Sequence, residues 1–370
     1  MKKLAILGAT YLQMPLVEKA QQMGIEVHCF AWLNEDAVCR DVADYFYDIS
    51  VLDKEKILEK CRDIKIDGIT TIATDICIPT ICYVAESLKL VSNSFESSLY
   101  CTNKAEMRRR FEKFSVQSPS FRKIGDDSEL PAEIDFPVIV KPTDRSGSRG
   151  VAKVYTREAL ADAVQEAISE SIEHKCVVEQ FIDGSEVSVE GISWNGEHRI
   201  LAITDKITTG EPHFVELEHH QPSELPDAVQ DSIKRETLKA LDGLDIKYGA
   251  SHAECKITAD GKVYLIEVGA RMGGDFIGSH LVENSTGFDF LKAVILVALN
   301  EFEFDDDSLQ PACSGVYFLS AETARLLPYF DRVNPFEIQK ERRAGELKYI
   351  KNSNDRSGYL IYKSARRVKL

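Results

Sequence analysis

No apolar run in this 370-residue chain approaches the roughly 18 residues that cross a bilayer, so neither a membrane span nor a membrane partner is expected. Nor does any Cys-x-x-Cys pair occur. The nine cysteines (29, 39, 61, 77, 82, 101, 176, 255 and 313) are odd in number and scattered. That excludes zinc-finger spacing and a disulfide framework, and it fits reduced thiols packing as small apolar groups in the cytoplasm. The start, MKKLAILGAT, enters a strand-like pattern with no signal-peptide cleavage site, which also points to a cytoplasmic protein. Basic residues are in deficit, with 45 Lys and Arg against 60 Asp and Glu and a formal charge of −15. A phosphate-backbone binder would work against that field, so nucleic acid is not an expected partner. Internal repeats and low-complexity segments are absent. A hydrophobic fraction of 44% with 28% charged residues is that of a globular protein, and the length accommodates two or three domains.

What is present begins as an alternating pattern. The run Leu4–Ala9 reads as a strand, and Leu12, Leu16, Val17, Ala20 and Met23 then recur at helical spacing up to Gly24. IEVHCF, an apolar segment at 69–73, a helical stretch over 77–88 and the run LKLV continue it. This predicts a parallel, Rossmann-like sheet over residues 1–100. The first turn, Gly8-Ala9-Thr10-Tyr11-Leu12-Gln13, lacks the later glycines of a dinucleotide fingerprint, which counts against a dehydrogenase. From 101 to about 305, helices mix with short alternating strands, and 306–370 continues as further strand and helix candidates.

Several segments of the middle region carry chemistry. FPVIV (136–140) ends in Lys141, and Ser146-Gly147-Ser148-Arg149-Gly150 follows shortly after. A strand-end lysine beside a Gly/Ser loop offers a positive charge and free backbone N–H groups, as a polyphosphate requires. Asn103 and Glu106 are spaced as a capping box for a helix with Met107, Phe111 and Phe114 on its core face. Lys104 would stand in its first turn, where the helix dipole disfavours a cation unless an anion is near. In CVVEQFIDGSEVSVEG (176–191), Glu186, Ser188 and Glu190 alternate with Val187 and Val189, as in a hairpin with one polar face. Glu179 and Glu186 are placed there to accept hydrogen bonds from a nucleoside.

The hairpin HAECKITADGKVYLIEVGARMGG (252–274) is the most informative segment. A two-residue Asp260-Gly261 turn would set Glu254 opposite Glu267, with Ala253, Cys255, Ile257, Tyr264, Ile266 and Val268 on the buried face. Facing Cβ atoms lie about 5 Å apart, and two like charges there repel by on the order of 3 kcal/mol at an effective dielectric of about 20. A divalent cation would relieve that repulsion, and oxygen-only ligands favour Mg²⁺ or Mn²⁺. A bridge from Lys256 or Arg271 is the alternative. A three-residue loop would place the carboxylates on opposite faces.

Taken in order, TNKAEMR, VIVKPTDRSGSRGV, VEQFIDGSEVSVEG, FVELEHHQPSEL, the two-glutamate hairpin and GARMGGD resemble the ATP-grasp superfamily, and more narrowly its amino-acid ligase (carboxylate–amine ligase) branch. The resemblance implies an α/β and α+β protein. An N-terminal Rossmann-like domain (1–100) would precede an ATP-grasp domain (101–305) with a mobile lid subdomain at about 115–180, and 306–370 would pack on the ATP-grasp core. By resemblance, Lys104 and Lys141 bind the ATP phosphates, and loop 146–150, with Ser146, Gly147, Ser148 and Gly150, closes over them. Glu179, Gln180, Phe181 and Ile182 line the adenine and Glu186 takes the ribose. Glu254 and Glu267 hold Mg²⁺ or Mn²⁺, and Arg271 holds the transferred phosphate or a substrate carboxylate. Gly269 stands where such proteins often carry Asn, which puts a third metal ligand in doubt.

The implied reaction is ATP-dependent. A substrate carboxylate, expected to be that of an amino acid, becomes an acyl phosphate and an amine then displaces phosphate, releasing ADP and phosphate and forming an amide. Lys141 and Arg271 are the expected catalytic residues, and His219, His252, Gly273 and Gly274 the substrate-side candidates. A homodimer is compatible with the sequence. The alternatives are an ATP-grasp carboxylase or purine-pathway-like enzyme using bicarbonate, and a non-catalytic ATP-binding protein.

Overall fold

A computed structural model describes residues 1–125, 130, 133–145, 149–304 and 311–370, and the expected phosphate-loop residues Ser146, Gly147 and Ser148 lie outside that set. The protein is α/β and α+β, with three sheets among the described residues. The first is parallel, in the order β3-β2-β1-β4, built from β1 (Lys3–Leu7), β2 (Glu26–Ala31), β3 (Tyr45–Asp48) and β4 (Gly68–Thr70). Between β1 and β2, the helix Met14–Gln22 turns Leu16, Val17 and Ala20 inward, at the spacing the sequence shows. At the β1 turn Gly8 has φ 93°, and the buried Gln13 side chain accepts from Thr10 N–H (3.0 Å) and donates to the Ile72 carbonyl (2.8 Å). This turn closes on a side chain instead of opening onto a pyrophosphate.

One detail of this region differs from expectation. The run at 88–91 is not a strand, because the helix Ile78–Leu88 ends on a left-handed Lys89 (φ 58°). Strand β3 (Tyr-Phe-Tyr-Asp) and the helix Lys54–Ile64, capped by Asp53 on the Lys56 N–H and burying Ile57 and Cys61, complete the alternation between β2 and β4.

The second sheet, antiparallel in the order β5-β8-β6-β7, comprises β5 (Phe121–Gly125), β6 (Val138–Pro142), β7 (Ala152–Val154) and β8 (Lys175–Gln180). The helix Arg157–Glu170 lays Leu160, Val164, Ala167 and Ile168 on Val138, Val140, Cys176 and Val178. The third sheet has eight antiparallel strands in the order β13-β12-β9-β10-β11-β14-β16-β15. They are β9 (Ser185–Trp194), β10 (Glu197–Thr208), β11 (Glu216–Gln221), β12 (Gly249–Ile257), β13 (Val263–Gly269), β14 (Cys313–Leu319), β15 (Glu337–Arg342) and β16 (Gly358–Ser364). One face of this sheet is apolar and packs Val187, Val189, Ile203, Ala253 and Cys255 against helices Lys104–Lys113 and Asp227–Gly243. Phe114 is not on that core face: the helix stops at Lys113 and the ring is 38% exposed.

The β12–β13 hairpin reaches the expected pairing by a different route. Thr258 N–H donates to the Lys262 carbonyl (3.0 Å) and Gly261 N–H to the Thr258 carbonyl (2.8 Å), with Gly261 at φ 79°. The loop is therefore the three residues Ala259-Asp260-Gly261, not two. By itself this would offset the two glutamates. A bulge at Ile266 restores the register, since Cys255 faces Leu265 while Glu254 faces Glu267. The bulge also changes the buried set. Val263, Leu265 and Val268 join the core, and Tyr264 and Ile266 stay partly exposed.

Leu265→Ala is expected to cost about 2–5 kcal/mol in chemical unfolding, as core truncations do, and Tyr264→Ala clearly less. The reverse ranking would place the bulge elsewhere.

Candidate functional site

The polar face of the third sheet carries a lattice of opposite charges. Cross-strand register aligns Lys206 (β10), Glu186 (β9) and Lys256 (β12) in one row, Ser188, Glu254 and Glu267 in the next, and Glu190, His252 and Gly269 in a third. Side chains two apart on a strand share a face, so alternation alone builds these rows. At the centre stands Lys206, buried, with its ammonium 2.7 Å from Glu186, 2.8 Å from Glu254 and 3.4 Å from Glu216. Burial pulls its pKa down, but Glu254, Glu186 and Glu216 outweigh burial and hold it well above the ordinary lysine value. Lys206 in turn holds Glu254 well below the usual carboxylate range.

Side chains from the second sheet, and Lys104 and Arg108 from the helix Lys104–Lys113 whose body packs on the apolar face, reach the charges of this face. Lys104 is the first residue of that helix, after Asn103 caps the Ala105 and Glu106 N–H groups (3.1 and 3.2 Å). The reciprocal half of the capping box is absent, because the Asn103 N–H goes to the Leu99 carbonyl and Glu106 pairs with Arg109. The Lys104 ammonium donates to Glu267 (3.1 Å) and to the Arg145 carbonyl (2.6 Å). Lys141, at the end of β6, bonds Glu179 of β8 at 2.8 Å, and Arg108 pairs with the same carboxylate at 3.0 Å. Burial lowers the Lys141 pKa, and Glu179 only partly offsets it. Burial would raise Glu179, yet Arg108 and Lys141 prevail and hold it low. The Arg108 hydrogen bond to Glu179 runs from Nη2 to Oε2 (3.2 Å), and the 3.0 Å contact of Nε with Oε1 is an ion-pair contact that lacks hydrogen-bond alignment.

At the other end, Arg271 pairs with Asp75, whose oxygens lie 2.9 Å from Nε and 2.7 Å from Nη2. His252 bonds the fully buried Glu190 at 2.5 Å, and Gly273 N–H donates to the other oxygen of that carboxylate at 2.9 Å. Burial lowers His252, but Glu190 dominates and raises it to about 9, so the ring is a cation at neutral pH. A Cβ at Gly273 would sit 2.7 Å from both Glu190 and His252, and one at Gly274 would touch Ala73 at 3.4 Å.

The expected residues are thus partly united. Lys104, Lys141, Glu179, Glu254, Glu267, His252 and Arg271 stand in one cluster of interacting charges, to which Lys206 joins Glu186 and Glu190 joins Gly273. Gln180, the last residue of β8, is exposed, Ile182 in the link after it is buried, and the Phe181 ring lies under Lys153 at 3.6 Å. His219 is buried beside Phe318, 3.8 Å from Asp275, with neither ring nitrogen hydrogen-bonded, and burial lowers its pKa. Both bridging candidates are engaged elsewhere, Lys256 with Glu186 at 3.2 Å and Arg271 with Asp75.

One premise from the sequence needs correction. Glu254 and Glu267 do not repel uncompensated, since Lys206 and Lys104 each neutralise one of them. Repulsion alone therefore does not demand a metal, and among the described residues no group of three or more His, Cys, Asp or Glu is arranged to hold one. The two carboxylates, 30% and 27% exposed, still fit a hard cation that takes its remaining ligands from phosphate and water. Sequence reading missed Arg108, Lys206, Asp75 and Glu190 as site residues. Arg108 had a signal, one turn beyond Lys104 on the same helix face. Asp75 had none, because it enters from a distant sheet.

Residues 134–279 match the family model for the ATP-grasp domain. Over 245 residues the chain is 28% identical to alanine–anticapsin ligase of Bacillus subtilis, covering 60% of this chain and 51% of that protein. The chain thus spans about half the length of the curated relatives it matches first. Its fold is that of an L-amino acid ligase from Bacillus licheniformis, with a TM-score of 0.81 and 24% identity over 99% of this chain and 94% of that one. Phosphoribosylglycinamide synthetase from Anaerococcus prevotii is similar in fold too, with a TM-score of 0.78 and 22% identity over 99% and 94% of the two chains.

Lys206→Met should destabilise the protein, because it leaves the partly buried Glu186, Glu216 and Glu254 without their shared cation, and adding Glu254→Gln should recover part of that loss. Unfolding of the double variant checks it. Simple additivity would argue against the charge lattice.

Proposed function

We propose that this ATP-grasp protein is an ATP-dependent carboxylate–amine ligase that joins an amino acid to an amine through an acyl phosphate. The observation that carries this reading is the convergence of Lys104, Lys141, Glu254, Glu267 and Arg271, drawn from two sheets and a helix end, around one cleft. Cations to neutralise a polyphosphate, carboxylates to hold its metal and a guanidinium for a carboxylate are what phosphoryl transfer to a carboxylate requires.

In this reading, a substrate carboxylate oxygen attacks the γ-phosphorus of ATP, the bond to the β–γ bridging oxygen breaks, and ADP leaves. The amine nitrogen then attacks the acyl carbon, phosphate leaves, and the amine loses a proton. Lys104 and Lys141 exchange their present carboxylate partners for phosphate oxygens, and Arg271 steadies the carboxylate or the transferred phosphate. Glu179, Gln180, Phe181 and Ile182 line the adenine and Glu186 the ribose. His252, Gly273 and Gly274 border the substrate, and the buried His219, packed on Phe318, does not reach it. Glu254 and Glu267 would hold Mg²⁺ or Mn²⁺, which when bound neutralises charge on the phosphates. An acyl phosphate hydrolyses readily, which gives the segment 115–180 a purpose as a lid.

A purine-pathway reading is less favoured. A cavity of about 230 Å³ opens beyond β1, β2 and β4, lined by Ala9, Thr10, Leu12, Trp32 and Ile76 among others, with no charged side chain among the described residues of its wall. It suits an uncharged group and offers a phosphoribosyl substrate no cation.

A screen of amino-acid pairs with ATP, reading phosphate release and product mass together, should yield a product heavier than either substrate alone and lighter than their sum by one water. ATP turnover that ignores every acid and amine would remove the ligase reading. Lys141→Ala should lower turnover at least about 100-fold with folding retained. Glu267→Gln should raise the magnesium concentration needed for half-maximal turnover, and because it strands Lys104 it should not stabilise the protein. An unchanged magnesium titration would count against the metal role of Glu267.

A further inference from the structure

Glu254 and Glu267 are each engaged through one oxygen. Oε1 of Glu254 accepts a hydrogen bond from the Lys206 ammonium at 2.8 Å and lies 3.6 Å from Nε2 of His252, and Oε1 of Glu267 accepts from Lys104 at 3.1 Å. Among the described residues, Oε2 of neither side chain accepts a hydrogen bond.

The two lysines are not held alike. Lys104 stands at a helix start and shares its ammonium between Glu267 and the Arg145 carbonyl, so turning to a phosphate costs it one carboxylate. Lys206 sits within β10, its side chain 3% exposed, among Glu186 of β9, Glu216 of β11 and Glu254 of β12. An ammonium has three N–H donors, and three carboxylates surround this one. Withdrawing it would deprive all three of their shared cation, so it stays on Glu254 when a metal ion arrives.

Position 269 supplies no further side-chain oxygen. A Cβ built on Gly269 would collide with Oδ1 of Asp75, which is held in place by Arg271. The hairpin therefore offers a metal ion two carboxylates, and how many oxygens each can give sets the coordination.

We infer that Lys206 determines which cation the site accepts: by keeping Oε1 it makes Glu254 a one-oxygen ligand, which suits Mg²⁺ or Mn²⁺ and penalises Ca²⁺. This rests on the metal role of Glu254 and Glu267 and goes beyond it. Mg²⁺ takes about six oxygens in a near-ideal octahedron and needs one from Glu254, whereas Ca²⁺ takes roughly six to eight and gains from chelation by both oxygens of a carboxylate. Chelation at Glu254 has to break the Lys206 bond. When Lys104 turns to phosphate, Glu267 regains both oxygens and Glu254 does not. A neighbour that fixes how a ligand presents itself tunes the metal without touching it.

The experiment measures, by calorimetry on the full chain, binding of a non-hydrolysable ATP analogue with saturating Mg²⁺, with saturating Ca²⁺ and with EDTA. In the unmodified protein the magnesium complex should bind at least about 10-fold more tightly than the calcium complex, the lower end of what a hydrogen bond to a charged group is worth. Lys206→Met should reduce that ratio to about twofold, chiefly by strengthening calcium binding, because the released Oε1 joins Oε2. Lys206→Met combined with Glu216→Gln should do the same; it removes one charge of each sign, and Glu186 keeps Lys256 at 3.2 Å while Glu254 keeps His252. Thermal unfolding identifies a misfolded variant, and the remaining one then decides. No preference for magnesium in the unmodified protein overturns the inference. So does an equal weakening of both complexes in the variants, the result of a purely structural lysine. Binding that is the same with either metal and with EDTA overturns it together with the metal role of the two glutamates. Because no acid or amine is present, a failed ligation screen counts against the ligase reading without deciding this inference.

Discussion

The structure depends on one constraint: a charge taken out of water must have a partner. Across the polar face of the large sheet, Lys206 serves Glu186, Glu216 and Glu254, Lys104 serves Glu267, and Lys141 with Arg108 serves Glu179. Removing Lys206 leaves three carboxylates without their shared cation, whereas Glu179 keeps Arg108 when Lys141 is removed. A nucleotide-binding surface needs cations and carboxylates close together, and in the absence of phosphate these neutralise one another. The same pairing keeps the ligand-binding groups in place.

The small parallel sheet is part of this arrangement. Its loop after β4 carries Asp75 to Arg271, and its first turn closes on Gln13 so that the cavity beside it is uncharged. Pairing Asp75 with Arg271 and Glu190 with His252 gives that end of the cleft alternating sign over short distances.

The hairpin Gly249–Gly269 shows how far pattern reading reaches. Alternation correctly put Glu254 opposite Glu267. The two-residue turn behind that conclusion does not exist, and a three-residue loop offset by the Ile266 bulge gives the same pair with a different buried set. A bulge leaves no mark in local sequence, because Leu265, Ile266 and Val268 are all apolar. Lys104 and Lys141 were legible because a helix start and a strand end fix their positions, and Arg108 was legible in principle from helix spacing.

Periodicity and local capping determined which strands and helices form and which face of each is polar, since these depend on neighbours a few residues apart. They also put lysines and glutamates on the face that became the cleft. What lay beyond them was which charge meets which: that Glu254 is neutralised by Lys206 and Glu267 by Lys104, and that Asp75 crosses to Arg271 over a glycine. Those partners are tens to hundreds of residues apart in the chain. Only packing of the three sheets, with every buried charge compensated, could decide them.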